Sequence, residues 1–305
     1  MEATLSAATS PTEASVSAAP GVVVAVIVDQ PTMVLEEVFG ALGAQDYSNT
    51  QVLVLLTGSD ADELEVVRQI VQSTVPTAHI RQLGADVGFG VAANTALRLV
   101  EGDSGFFLIM HDDVVMAPDA LRILVEELYR SNAGMVGPKF VEWEDSRRLQ
   151  AVGFDCDWFG ELDSAVEPHE LDQEQHDAVR DVFVLSSACV LVRADLFREL
   201  DGFEPSIEFF GEDLDLCWRA HLSGARVVVV PAATARHRAS IVERLASRRS
   251  DSATLIRRAE RHRMATVVSL TGRRRLPIVL PLLVVLTFVQ AVGEIARGRW
   301  QRALA

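Results

Sequence analysis

Cysteine is scarce, three in 305 residues, and Cys156, Cys189 and Cys217 have neither disulfide-framework nor metal-ligand spacing. Cys189 and Cys217 sit in apolar runs, where buried thiols are ordinary, and this favours a reducing compartment. The amino terminus lacks a signal peptide: residues 1–20 are Ala, Ser, Thr, Pro and Glu, without a basic start or an apolar stretch. Such a composition predicts a disordered leader. There is no G-x-G-x-x-G, and Gly84, Gly88 and Gly90 follow the third predicted strand rather than the first. A dinucleotide-binding oxidoreductase is therefore disfavoured. No internal repeat is visible.

Charge is unevenly placed. The formal net charge is -15, yet residues 236–305 hold 15 Arg against 4 acidic residues, a local +11 that leaves -26 for the body. An acidic body repels nucleic acid, so no nucleic-acid partner is expected, whereas a basic tail is attracted to an anionic membrane surface. The tail also holds "LPIVLPLLVVLTFVQAVG", Leu276 to Gly293, 18 residues without a charge, between Arg273, Arg274, Arg275 and Arg297, Arg299, Arg302. Its length is at the short end for a span, and its flanks predict a transmembrane or membrane-embedded helix over 273–305 with the preceding domain on the cytoplasmic side of the inner membrane. Residues 241–272 intersperse Arg with Leu, Ile, Val and Met, the pattern of a basic interfacial helix. The abrupt end after one apolar segment is what a piece of a longer membrane protein would show.

Continuous apolar runs alternate with helical patterns along residues 21–110. "GVVVAVIV", "QVLVLL", "AHIRQL" and "GFFLIM" read as strands, with helices near 32–44, 60–73 and 90–100 between them. This order predicts an α/β domain over 21–240, built on a Rossmann-like, mostly parallel sheet flanked by helices, with ligands at the strand ends. From residue 134 further strands surround an acidic segment, 161–181, expected to be mobile.

Three constellations carry chemistry. "FFLIMHDDVVMAP" is a buried strand ending on His111, Asp112 and Asp113, and the hard oxygens of its carboxylates suit Mg²⁺ or Mn²⁺ on a diphosphate. An acidic helix cap is the plainer account, but Pro118 and Asp119 already start the next helix. "FFGEDLDLCWRAHLSG" crowds Glu212, Asp213 and Asp215 into the first turn of a helix. The macrodipole favours charge there by about 0.3–1 kcal/mol, and Asp215 pairs with Arg219 at i+4. That account leaves Glu212 and Asp213, behind a glycine and paired aromatics, available as a general base at a crevice rim. His237, about one turn beyond a strand, is a possible nitrogen donor to the same metal.

These stretches resemble the family 2 glycosyltransferases of GT-A fold. "LFRELDGFEPSIEFFGEDLDLCWRAHLSGARVVVVPAATARH" is similar to the family's G-F-(D/E)…F-F…E-D-x-D-L-(C)-x-R…G block and its P…H ending. "GFGVAANTAL" is similar to its glycine-rich segment, and "FLIMHDDVVMAPDAL" to its metal-motif strand and following helix. The resemblance implies an inverting transfer from a nucleotide sugar to a hydroxyl of a cell-envelope polysaccharide or lipid-linked acceptor, assisted by Mg²⁺ or Mn²⁺. It makes Asp213 the base, Glu212 its positioning partner, and Asp113 and His237 metal ligands. His111 stands where the family has aspartate or asparagine, so Asp112 or the imidazole would compensate. Gly88, Phe89, Asn94, His111 and Asp112 would face the donor. At the second strand end, Leu56 and Thr57 replace the family's V-D, while Gly58 and Ser59 persist and Asp60 or Asp29 would contribute. These departures motivate an alternative: a catalytically degenerate domain that binds nucleotide sugar or glycan within a larger membrane assembly.

Overall fold

A computed structural model describes residues 19–29, 32–58, 61–84, 87–100, 105–207, 210–238 and 252–296. The predicted leader up to residue 18, Ser59, Asp60, residues 241–251 and those beyond 296 lie outside the described residues.

The predicted alternation forms as β1 (Val22–Val28), α1 (Leu35–Gly43), β2 (Thr50–Leu56), α2 (Ala61–Thr74), β3 (His79–Gln82), α3 (Phe89–Leu99) and β4 (Phe106–His111). β1 is apolar throughout because both its faces are covered. Val22, Val24, Val26 and Val28 pack with Leu35 and Phe39, whereas Val23, Ala25 and Ile27 pack with Phe89, Ala92 and Ala96. The period-two alternation of a strand sorts one run into two cores, and each buried aliphatic side chain contributes about 1.5–3 kcal/mol relative to exposure.

The chain continues through β5 (Val114–Met116), α4 (Ala120–Ser131), β6 (Met135–Glu142), β7 (Leu149–Ala151), β8 (Asp155–Cys156), β9 (Leu162–Asp163), β10 (Arg180–Asp181) and β11 (Cys189–Arg193). α5 (Ala194–Glu199), α6 (Glu212–Leu222), β12 (Val227–His237), α7 (Ser252–Leu270) and α8 (Leu276–Ala296) follow. The main sheet runs β10-β12-β6-β11-β4-β1-β2-β3. β3, β2, β1 and β4 are parallel neighbours, but β11 enters antiparallel between β4 and β6. The sheet is therefore mixed rather than mostly parallel. Its second half departs because hydrophobicity marks a strand as buried without giving its direction.

The segment expected to be mobile is tied to the body. Lys139 on β6 reaches Asp172 and Asp177, each at 2.7 Å, and the Leu149 amide donates to the Glu170 carbonyl.

The carboxy-terminal helices are laid against the body. Val267 of α7 packs with Val279 and Leu283 of α8 and with Phe159 and Trp218. The other sides of α8 are exposed and apolar, with Ile278, Val284, Val285, Phe288 and Val289 all outward. Among the described residues no helix is long and apolar enough to cross a membrane. The predicted span is thus unsupported; α8 carries Pro281, which removes a backbone donor from its interior.

Candidate active site

β1, β2 and β4 end together, with Val28 level with Leu56 and Ile27 level with His111. Asp29 and Gly58 follow the first two ends and His111 closes the third. β12 reaches this edge from the far side of the sheet. A register shift between Val230 and Thr234 carries its second half outward, where Ala235–His237 pairs with β5. His237 therefore ends β12 itself, not a turn beyond it. The Arg238 amide donates to the Asp113 carbonyl, which fastens the strand end beside the β4–β5 turn.

These strand ends bring three potential ligands together. Asp113 Oδ1 lies 3.8 Å from His111 Nδ1 and 3.5 Å from His237 Nε2, and one donor atom of each falls within 4.8 Å of the others. Asp112 is buried but outside this group. The turn that follows β4 at Asp112 and Asp113 brings Asp113 back beside His111, and the imidazole takes the place expected of Asp112. His237 Nε2 is buried without a hydrogen-bond partner. Two imidazoles and a carboxylate around such an atom form a donor set for a divalent metal ion. Phe89 packs edge-on against His111, ring centroids 4.7 Å apart, and fixes that ring.

Opposite stands the first turn of α6. Phe210 and Gly211 both hold positive φ, 61° and 98°, and the glycine has the conformation L side chains resist. The reversal aims Glu212 and Asp213 at the cavity. Glu212 is buried and accepts a hydrogen bond from Ser187 Oγ at 2.7 Å; its second oxygen has no hydrogen-bond partner. Burial pushes the Glu212 carboxyl above its usual range. Burial, followed by the Glu212 charge, pushes Asp213 up to about 7. Asp215 bonds Arg219 at 2.7 Å as its spacing predicts, and burial raises it against that pull. The α6 carboxylates and the two imidazoles meet at a cavity of about 380 Å³ lined by Phe89, His111, His237, Glu212 and Asp213, with Asp113 buried behind the histidines.

Not every predicted donor contact turns to the cavity. Asn94 spends both ends of its amide on Phe203, accepting from its N–H and donating to its carbonyl, each at 2.8 Å. It holds the loop before α6 rather than a ligand. Gly88 begins α3 behind Phe89. Asp29 and Gly58 lie at the same sheet edge but outside the cavity lining.

Other cavity residues escape sequence reasoning. Ser186 and Ser187 line it, and their polar pair ahead of a buried strand was the available signal. Ala259, Glu260 and Arg263 also line it; α7, expected as an interfacial helix, gives one side to the cavity wall. His262 accounts for this, since it is buried with Nδ1 at 3.1 Å from the Phe210 carbonyl and pins α7 to the turn that presents Glu212.

Comparison with known proteins supplies the family and the fold. A family model described as "Glycosyltransferase like family 2" matches residues 20–265. The chain is 27% identical over 154 residues to a pre-mycofactocin glycosyltransferase of Mycobacterium tuberculosis, covering 49% of this chain and 30% of the relative. It is 28% identical over 181 residues to an N-acetylglucosaminyl-diphospho-decaprenol L-rhamnosyltransferase of that organism, covering 53% and 59%. The chain thus spans less than two thirds of either relative. Among solved structures, GalNAc-T7 with UDP, GalNAc and Mn²⁺ aligns with TM-score 0.60 at 11% identity, over 72% of this chain and 43% of that one. S. aureus TarS with UDP aligns with TM-score 0.54 at 16% identity, over 84% and 72%. At these identities the two structures show a shared GT-A-like α/β fold. With the family match spanning β1 to α7, the chain belongs to glycosyltransferase-like family 2.

Proposed function

We propose that this chain transfers a sugar from a nucleoside-diphosphate donor to an acceptor hydroxyl with inversion at the anomeric carbon. The observation that carries the reading is the shared cavity, with Glu212 and Asp213 on one wall and His111 and His237 on another. Asp213 takes the hydroxyl proton as the acceptor oxygen bonds to the anomeric carbon. The bond from that carbon to the diphosphate breaks on the opposite face. A carboxyl held near pH 7 is matched to this task. Glu212, fixed by Ser187, orients the acceptor. His111, Asp113 and His237 would hold Mg²⁺ or Mn²⁺, which when bound offsets the diphosphate charge.

The acceptor in this reading is a cell-envelope glycan or a lipid-linked sugar, supported by the diphospho-decaprenol acceptor in one relative's name. The outward apolar side of α8 supports contact with the inner membrane, and the Arg273–Arg275 triplet that precedes it supports an orientation with the domain on the cytoplasmic side.

The degenerate-domain alternative has one observation in its favour. Leu56 is fully buried in the core and Thr57 nearly so, so neither offers the nucleobase the carboxylate found in most of the family. A panel of nucleotide sugars incubated with Mn²⁺ decides between the two. Release of nucleoside diphosphate by wild type, lost in Asp213→Asn, supports the transferase; donor binding without release supports the alternative.

A further inference from the structure

A second concavity lies on the far side of the β8–β9 hairpin from the catalytic cavity. It measures about 550 Å³ and is lined by Trp158, Phe183, Trp218, Arg273, Arg274 and Arg275, among others. The three arginines are consecutive in the turn between α7 and α8, and all are exposed. None of them forms an ion pair with a described residue, whereas Arg122, Arg147, Arg193, Arg219, Arg226, Arg236 and Arg263 each have a carboxylate partner. Asp157 also lines the groove, but its Oδ1 accepts the Phe159 and Glu161 amides at 2.8 and 2.9 Å. Trp158 is 65% exposed, with the Arg275 guanidinium 5.1 Å from its ring. Arginine forks match phosphate geometry, and an exposed tryptophan suits the edge of a bilayer.

Two continuities specify the ligand. On one side the groove reaches the first turn of α8 at Val279, and the adjoining outward side of that helix carries Ile278, Leu282, Val285 and Val289 as an apolar stripe at helical spacing. On the other it shares its walls with the catalytic cavity. The β8–β9 hairpin gives Trp158 to the groove and Gly160 and Leu162 to the cavity. α7 gives Leu270 to the groove and Arg263 to the cavity. Those seven residues span about 10 Å of helix. A ligand with an apolar tail, adjacent phosphates and a short glycan head would occupy all three surfaces at once.

We infer that the Arg273–Arg275 groove binds the diphosphate of a lipid-borne acceptor, with its tail along α8 and its sugar directed past Gly160 into the catalytic cavity. The inference rests on the glycosyltransferase reading, and its test is independent of turnover. Full-length protein is titrated with farnesyl diphosphate, with inorganic pyrophosphate, and with phosphatidylglycerol vesicles, each followed by tryptophan fluorescence. Farnesyl diphosphate is expected to bind at least about tenfold more tightly than pyrophosphate, and reversal of all three arginines to Glu to weaken it about tenfold or more. The triple variant alters only an exposed turn, and an unchanged melting temperature confirms that it folds. A second variant, Ile278→Glu with Val285→Glu, should weaken farnesyl diphosphate but leave pyrophosphate unaffected. Equal binding by wild type and the triple variant would overturn the assignment. So would pyrophosphate matching the lipid, or phosphatidylglycerol vesicles displacing farnesyl diphosphate, since either result reduces the groove to a general anion surface. Donor turnover is scored separately: its absence in wild type sinks the transferase reading and leaves the binding result intact.

Discussion

Replacing Asp213 with Asn should destroy activity while making the protein more stable at alkaline pH. In the folded chain burial and the Glu212 charge hold this carboxyl at about 7, against 3.8 for an unperturbed aspartate. A difference of about three units corresponds to at most about 4 kcal/mol. Relaxation of the folded state around the ionised pair brings the expected figure to about 2 kcal/mol. The folded pKa is the higher one, so the sign follows directly. Below about pH 4 the proton is bound in both states and Asp213 costs nothing; as pH rises toward 7 the unfolded chain releases it first, and above 7 the cost is complete. Asn carries no charge and escapes it. Urea unfolding of the two proteins should therefore show the variant ahead by about 2 kcal/mol at pH 8, with the gap about halved at pH 5.5. Transfer activity should fall by roughly 10²–10⁴ in the same protein. A variant no more stable than wild type at pH 8, or a gap indifferent to pH, would refute the claim that ionising this carboxylate is costly in the fold.

Ser187→Ala removes the hydrogen bond that fixes Glu212; kcat should drop about tenfold while the donor KM holds, as befits a lost orienting contact of about 1.5 kcal/mol. His237→Ala should abolish Mn²⁺ binding measured by calorimetry, while Asp112→Asn should largely retain it, because Asp112 stands outside the ligand group. The wild-type profile of kcat/KM against pH should rise through about 7 as Asp213 loses its proton. Gly90→Ala sets a Cβ 2.8 Å from Phe203 Cβ, an overpacking that should lower stability by about 1–3 kcal/mol in urea titration.

Much of the fold could be read directly from the chain. Seven apolar residues in β1 leave no polar face, which requires cover on both sides and hence a layered α/β architecture. The crowding of Glu212, Asp213 and Asp215 was legible as a helix start, and the Asp215–Arg219 pair followed from its spacing. The exchange of Asp112 for His111 could not be read off, because Asp112 and Asp113 lie in the turn after β4, outside the alternation of the strand. Strand direction was not legible: the antiparallel entry of β11 depends on how distant segments cover one another, and its apolar residues look alike in either orientation.

Local chemistry determined which residues form strands and helices, where the carboxylates gather, and that the tail is basic and apolar, because propensity, periodicity and charge act over a few positions. Only the tertiary structure decided that β12 bends to lay His237 beside Asp113, that Asn94 serves Phe203, and that α7 walls the cavity through His262 and Arg263. Those outcomes come from packing between segments far apart in sequence, where the energy of a contact depends on which surface arrives opposite it.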